Sequence, residues 1–166
     1  MRWTFLGPLL SSPRQRLFVD PILRKRRYLF KDKSIVEKLV DHILLLGIGL
    51  SPEDIFCTSI EDLAIKNGEY IRKYIHTNIQ TADLSILLIF NNYKKSEICL
   101  NEMRTAWIYN NNVRFYLLPN SSFEEIEWLC NPNQAEKLFD SIALDALKMK
   151  LSRFYSLEDK GTTWSR

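Results

Sequence analysis

The residues best able to do chemistry in this sequence lie in one run, S-E-I-C-L-N-E-M at positions 96–103. The run follows an apolar segment at 84–90, a pattern that predicts a buried strand, a short loop and then a helix. Ser96 is a favourable N-cap for that helix, and Glu102 lies within its first two turns. Ligands of open α/β sheets bind at the carboxyl ends of the strands, so this helix would carry a carboxylate into that cleft.

The helix pattern leaves two interpretations of Glu102 open. Glu102 shares a stripe with Ile98 and Ala106, and the neighbouring stripe is apolar, so the carboxylate interrupts a largely apolar face. Either the residue lies at a boundary with its carboxylate in water, or it is held in a cleft where it does chemical work. The pattern by itself favours the boundary, because a buried Glu is rare without a partner.

The elements that must position this residue alternate along the chain. A helix is predicted through residues 35–44, ending at Gly47, and a second helix opens at Asn67 or Gly68. The remaining predicted elements are strands at 55–57, 84–90, 113–118 and 135–139 and helices at 96–109, 123–129 and 141–155. Strands separated by helices predict a parallel, doubly wound α/β sheet.

Composition limits the class of protein. The chain has 166 residues, 46% hydrophobic and 26% charged, which is typical of one soluble globular domain. Three cysteines without a C-x-x-C pair argue against a disulfide framework or a zinc site, and for a reducing, cytoplasmic location. His42 and His76 have no ligands at metal-binding spacing, so we expect no metal.

Charge divides the chain into two parts. Residues 1–33 hold nine Lys/Arg and two Asp/Glu, whereas the remainder holds 14 and 18, so a basic N-terminus precedes a mildly acidic body. The basic run at 24–27 is interpreted as a solvated arm, and the body has no pattern typical of a nucleic-acid face. The apolar stretch at 3–10 is too short to span a membrane. We therefore expect neither a membrane nor a nucleic-acid partner.

Several blocks in a fixed order resemble bacterial Toll/interleukin-1 receptor (TIR) domains. They are DIFCTSI at 54–60, NGE at 67–69, ADL at 82–84, NYKKSEICLNEM at 92–103 and AW at 106–107, with KDKSIVEKLV at 31–40 similar to the family's first helix. The block from 96 to 107 is specific, and the short matches are not. The resemblance implies a flavodoxin-like, three-layer α/β fold with a mostly parallel sheet of about five strands.

The resemblance also implies a function. Many bacterial members cleave the nicotinamide–ribose bond of NAD, and their catalytic glutamate lies in a pattern S-x-x-C-x-x-E that matches Ser96, Cys99 and Glu102. NAD is then substrate, and no cofactor is needed. Further substrate contacts implied at the cleft are Tyr28, Phe30, Ile60 and Tyr93. Self-association through TIR–TIR contacts would activate the enzyme, with other TIR-domain proteins as further partners, in bacterial anti-phage defence or toxic NAD depletion.

Three features depart from the family pattern. The first strand is either a shortened strand at 28–30 or the apolar run at 17–19, or else the N-terminus is foreign to the fold. The loop at 61–66, which resembles the gating BB loop, lacks glycine and proline, and Phe90 stands where the family tends to have Ser. We accordingly divide the chain into a basic segment at 1–27, ordered or disordered, a TIR domain at 28–157 and a tail at 158–166.

Some alternatives remain open at this stage. Cys99 and Trp107 are predicted to pack in the core, and Tyr93 is either a ligand contact or a loop-packing residue. The main rival function is a TIR interaction module without activity, acting in signalling through the surface around Ile60. A phosphoacceptor receiver domain would need acids at the ends of two strands, which the sequence does not place there.

Overall fold

The apolar runs of the sequence pair into one parallel sheet in the computed structural model of the chain. The structure describes residues 15–20, 29–57, 60, 71–91, 93–109, 112–127 and 135–157. The strands are β1 Leu17–Asp20, β2 Ile55–Cys57, β3 Leu84–Ile89, β4 Val113–Leu117 and β5 Ala135–Lys137. Their order is β2-β1-β3-β4-β5, with every neighbouring pair parallel. This is the flavodoxin-like order, so the predicted fold class is confirmed.

The helices cover the sheet on both sides. They are α1 Leu29–Lys38, which continues as a π-helical segment Leu39–Ile48, α2 Ile71–Thr81, α3 Glu97–Tyr109 and α4 Ser141–Phe154. Single 3-10 turns lie at Pro52–Asp54, Tyr93–Lys95 and Phe123–Glu125. The predicted helix at 123–129 is thus reduced to one turn among the described residues.

Alternate residues of the strands pack into two separate hydrophobic cores, one on each face of the sheet. One core joins the sheet to α1, the π-helical segment and α4, through residues such as Val36, Leu44 and Leu147. The other joins the opposite face of the sheet to α2 and α3, through residues such as Ile79 and Met103. Successive residues of β1 enter different cores, as the period of two in a strand requires. The domain is therefore a three-layer sandwich with α3 and α4 in opposite outer layers.

The central strand β1 comes from residues that the sequence left uncertain. Of the alternatives for the first strand, the apolar run at 17–19 is confirmed, and residues 29 and 30 begin α1 instead of forming a strand. Leu17, Phe18 and Val19 are completely buried between β2 and β3. The sheet therefore extends into the segment at 1–27 that the sequence analysis placed outside the domain.

Backbone and side-chain hydrogen bonds secure the amino ends of β1 and β3. The Arg16 amide donates to the Asp83 carboxylate across 2.8 Å, and the Asp83 amide donates to the Arg16 carbonyl across 2.9 Å. The Asn112 side-chain amide donates to the Asp83 carbonyl across 3.2 Å. These bonds hold three neighbouring strands in register at the edge opposite their carboxyl ends.

The first helical region ends at a different glycine from the one predicted. Gly47 lies inside the π-helical segment, and Gly49 is the capping residue with φ 85°. The Gly49 amide donates to the Leu44 carbonyl. Glycine adopts this left-handed conformation without the steric cost that a Cβ brings. No helix within the described ranges is both long and apolar enough to cross a membrane.

Candidate active site

The candidate site lies where β3 ends and α3 begins. Phe90 and Asn91 follow β3, the turn Tyr93–Lys95 reverses the chain, and α3 starts at Glu97. At a rise of 1.5 Å per residue, Glu102 lies roughly 8 Å along the axis from the start of α3. It therefore remains near the carboxyl edge of the sheet, where the strand order changes direction between β1 and β3.

Ser96 performs the capping role predicted for it. Its hydroxyl oxygen accepts a hydrogen bond from the Cys99 amide across 3.4 Å, and its carbonyl accepts the Leu100 amide across 3.0 Å. The Ser96 amide in turn donates to the Tyr93 carbonyl across 3.0 Å. Because the cap defines where the helix begins, it also helps to define the direction in which the Glu102 side chain projects from α3.

Tyr93 and Cys99 form the buried support beneath the first turn of α3. Tyr93 is 1% exposed, its ring meets Phe90 edge-on at 5.4 Å, and its hydroxyl donates to the Cys99 carbonyl across 3.4 Å. Cys99 is completely buried and forms no disulfide within the described part of the chain, so the predicted packing role of Cys99 is confirmed. The structure thus describes Tyr93 as a packing residue, and its contact with a ligand remains a prediction.

Glu102 is the single buried charged side chain in the described part of the chain. It is 7% exposed, and Ser85 is the only other polar residue buried there. Cys99 and Ala106, one turn to either side, are completely buried, so Glu102 lies at the margin of the buried face of α3. Removing a carboxylate from water is costly without compensating contacts. The burial disagrees with the boundary interpretation, in which the carboxylate lies in water, and a chemical role for Glu102 remains a prediction.

The side of α3 that carries Glu102 faces α2. Tyr109, seven residues after Glu102 and on the same stripe, meets the ring of His76 of α2 edge-on at 5.9 Å. The opposite side of α3 faces β4, where Trp107 meets Phe115 at 6.2 Å. Glu102, which is 7% exposed, therefore lies on the side of α3 that is directed toward α2.

The other predicted site residues are only partly brought together. Tyr28 lies outside the described residues, and Phe30 is described only as backbone within α1. Ile60 is half-buried just after β2, near the same edge of the sheet, but it packs against the core on the α1/α4 side. Phe90, just after β3, is partly buried and packs against both cores.

Sequence reasoning missed one residue at this edge and misplaced another. Asp20 ends β1 opposite Leu87, at the point where the strand order reverses, and only the pairing of β1 reveals it. Trp107 is 46% exposed, so the prediction that it packs in the core is wrong. Its ring meets Phe115 of β4 edge-on, and almost half of the side chain stays exposed. Within the described ranges, no cluster of three or more His, Cys, Asp or Glu could hold a metal ion.

Comparisons with known proteins give similarities to a curated protein and to a solved structure. No protein-family model matches the chain. A protein of Bacillus subtilis (strain 168), "Uncharacterized protein YddK", is 34% identical over 137 residues, which is 82% of this chain and 50% of that protein. The chain thus spans about half the length of this curated relative. The TIR domains of the activated Roq1 resistosome, which recognizes the pathogen effector XopQ, match with a TM-score of 0.48 and 14% identity over 88% of this chain and 75% of theirs.

Proposed function

We propose that this chain is a TIR-domain NAD nucleosidase in which Glu102 is the catalytic residue. The observation that carries the proposal is the burial of Glu102 in the S-x-x-C-x-x-E block at the carboxyl edge of the sheet. Ser96, as helix cap, and Cys99, as core residue, give the other two positions of that block a supporting role. A charged group held in this way is a candidate functional group on physical grounds.

The reaction needs one carboxylate and no general acid to protonate the leaving group. In NAD the nicotinamide ring is a cation, so the electron pair of the breaking C1′–N bond neutralises it, and the leaving group needs no proton. The ribosyl group becomes cationic in the transition state, as in glycoside hydrolysis. The Glu102 carboxylate, partly shielded from water, would stabilise that charge and accept hydrogen bonds from the ribose hydroxyls.

The second half of the reaction decides the product. Addition of water at C1′, with loss of one proton, yields ADP-ribose, whereas attack by a nucleophile within the same molecule yields a cyclic product. Tyr28, Phe30, Ile60 and Tyr93 are the further substrate contacts that the family resemblance proposes. For the cellular setting we propose the bacterial cytoplasm, anti-phage defence and activation by self-association. The cytoplasmic location agrees with Cys57 and Cys99, which form no disulfide within the described part of the chain.

A second candidate function is a non-catalytic interaction module. The observation that favours it is the last turn of α3, where three consecutive large residues, Trp107, Ile108 and Tyr109, are 46%, 74% and 54% exposed. Exposed apolar groups of this kind are typical of protein-binding surfaces. Such a module would associate with itself or with other TIR-domain proteins and would not require the carboxylate of Glu102.

The test compares two glutamates of the same helix. Purified protein at high concentration is incubated with NAD, and nicotinamide release is measured by chromatography for the wild type, Glu102→Gln and Glu97→Gln. Glu97 is an exposed residue of the first turn of α3, so its variant controls for loss of a charge. We expect Glu102→Gln to lose roughly 10²- to 10⁴-fold in rate, with Glu97→Gln close to wild type.

Circular dichroism of all three proteins verifies that the fold is retained. Equal rates for the wild type and Glu102→Gln would contradict the catalytic role of Glu102. A wild type without turnover, folded and at high concentration, would favour the interaction module instead.

A further inference from the structure

Two consecutive lysines are exposed on the turn between β3 and α3. Lys94 and Lys95 complete the single 3-10 turn that begins at Tyr93, which is 1% exposed. The Tyr93 amide donates to the Phe90 carbonyl across 3.0 Å, and the Ser96 amide donates to the Tyr93 carbonyl across 3.0 Å. The backbone is therefore held on both sides of the two lysines, while their side chains are exposed to solvent.

The turn lies at the same edge of the sheet as the candidate active site. It follows the carboxyl end of β3, and β3 pairs with β1 at the point where the strand order reverses. Glu102 lies about 8 Å along the axis from the start of α3, and Ser96 alone separates that start from Lys95. Lys94, Lys95 and Glu102 therefore belong to one edge of the molecule.

The charge of this segment is opposite in sign to that of the body of the chain. The chain after residue 33 holds 14 Lys/Arg and 18 Asp/Glu, whereas residues 90–101 hold two lysines and a single acid, Glu97. Within the described part of the chain, neither lysine side chain forms an ion pair. Their positive charges are therefore available to an anion that enters from solvent, and Glu97 offsets only part of them.

The proposed substrate carries an anionic group that the Glu102 carboxylate repels. NAD joins its two nucleosides through a diphosphate, which is negatively charged at neutral pH and lies one ribose away from the bond that breaks. A carboxylate that stabilises positive charge at C1′ also raises the energy of a nearby diphosphate. Binding therefore needs a second, positive group at the same edge. Lysine suits this purpose, because its ammonium group binds phosphate oxygens as a point charge.

We propose that Lys94 and Lys95 bind the diphosphate of NAD and thereby select the dinucleotide over nicotinamide riboside, which has no phosphate. This inference rests on the proposed function, because it takes the bond beside Glu102 as the bond that breaks. The lysines contact no reacting atom, so they are specificity-determining residues. They contribute equally to the ground state and to the transition state, and their removal raises KM without lowering kcat.

Steady-state kinetics with three substrates test this assignment. NAD, nicotinamide mononucleotide with one phosphate, and nicotinamide riboside are compared for the wild type and for Lys94→Gln/Lys95→Gln. We expect the double variant to raise KM for NAD about tenfold with kcat nearly unchanged, because each exposed charge pair contributes modestly. The increase should be smaller for the mononucleotide and absent for the riboside. Lys38→Gln/Lys137→Gln removes two exposed positive charges, on α1 and β5, and should match the wild type.

A binding measurement gives a readout that does not depend on catalysis. ADP-ribose retains the diphosphate and lacks nicotinamide, and adenosine lacks the diphosphate as well. Titration calorimetry of both compounds is carried out with the wild type and Lys94→Gln/Lys95→Gln, at about 0.05 M and about 0.5 M NaCl. We expect the Kd of ADP-ribose to rise about tenfold in the variant at low salt, and to rise with salt in the wild type. Adenosine should bind equally to both proteins.

The outcomes distinguish the diphosphate site from NAD cleavage. Unchanged KM and Kd values in the double variant would overturn the diphosphate site, as would an equal increase in KM for the riboside, which would indicate a structural change. A wild type that binds ADP-ribose through the lysines but releases no nicotinamide would contradict cleavage and support the diphosphate site. A wild type that neither binds ADP-ribose nor cleaves NAD would overturn both.

Discussion

The Tyr93 hydroxyl donates a hydrogen bond to the Cys99 carbonyl across 3.4 Å, joining the turn after β3 to the first turn of α3. Both residues are buried, and Cys99 lies three positions before Glu102 on the helix. The bond therefore fixes how the chain enters α3, one helical turn before the Glu102 side chain. A tyrosine predicted to touch substrate serves in the structure to hold the helix that carries the catalytic candidate.

Replacing Tyr93 by Phe should separate this support from catalysis. The variant keeps the ring in the core and loses one hydrogen bond, so we expect the free energy of unfolding to fall by about 1 kcal/mol. NAD turnover should fall by less than about tenfold, far less than for Glu102→Gln. Urea unfolding and nicotinamide release measure the two effects, and a loss of turnover equal to that of Glu102→Gln would instead make Tyr93 a direct participant.

Removal of the Ser96 cap should destabilise α3. Ser96→Ala loses the side-chain acceptor for the Cys99 amide and should lower the free energy of unfolding by about 1 kcal/mol. Ser122→Ala is the matched control, because Ser122 precedes a single helical turn and its side chain makes no capping bond. Urea unfolding of both variants provides the measurement. Equal effects of the two substitutions would show that the Ser96 cap contributes nothing specific.

The two glycines near the end of the first helical region should respond oppositely to alanine. Gly49→Ala places a Cβ at φ 85° and should cost about 1–2 kcal/mol of folding free energy. Gly47→Ala lies within the helical segment and should be neutral or stabilising by about 0.5–1 kcal/mol. Thermal unfolding of both variants measures the difference. Equal stabilities would contradict the capping position of Gly49.

Stability should decline at alkaline pH because of two buried tyrosines. Burial raises the pKa of Tyr116 above its ordinary value of 10.0, and the negative charge of Glu136 raises it further. Burial, followed by the charges of Asp83 and Asp54, raises the pKa of Tyr155 in the same direction. The folded chain keeps these protons where the unfolded chain releases them, so a stabilisation present below about pH 10 is lost as the pH rises further.

Urea unfolding between about pH 8 and 11 tests this dependence. The decline should be shallower in Tyr116→Phe and in Tyr155→Phe than in the wild type. An unchanged slope in both variants would exclude these tyrosines as its cause.

The same two tyrosines should differ at neutral pH. The Tyr155 hydroxyl is buried without a hydrogen-bond partner among the described residues, whereas the Tyr116 hydroxyl bonds to the Glu136 carboxylate. Tyr155→Phe should therefore be neutral or stabilising, and Tyr116→Phe should lose about 1 kcal/mol or more. Urea unfolding at pH 7 ranks the two variants, and the reverse ranking would contradict the assigned hydrogen bond.

Most of the fold could be predicted from local patterns. The continuous apolar run of β3 and the helical spacing of α3 are strong signals, and both elements form within a residue or two of their predicted limits. β1 was only one of several alternatives, because three apolar residues between arginines and Pro21 carry little signal of their own. Its place at the sheet centre depends on pairing with β2 and β3, which are distant in sequence.

The residues of the candidate site also separate into those that local sequence patterns predict and those that they do not. Ser96 as cap and Cys99 as a buried residue were both predictable, since capping and small-residue packing are local properties of a helix. The exposure of Trp107 was not predictable, because it depends on which face of α3 packs against the sheet, and that face is set by tertiary packing.

The amino-acid sequence by itself determined the alternation of strands and helices, the start of α3 and the presence of two acids, Glu97 and Glu102, within its first two turns. Those features follow from periodicity and capping, which act over a few neighbouring residues. Only the tertiary structure decided that Glu102 is buried and that the exposed faces of α3 and α4 point away from each other. Burial and relative orientation depend on which elements pack together, and long-range strand pairing and the two cores set that packing.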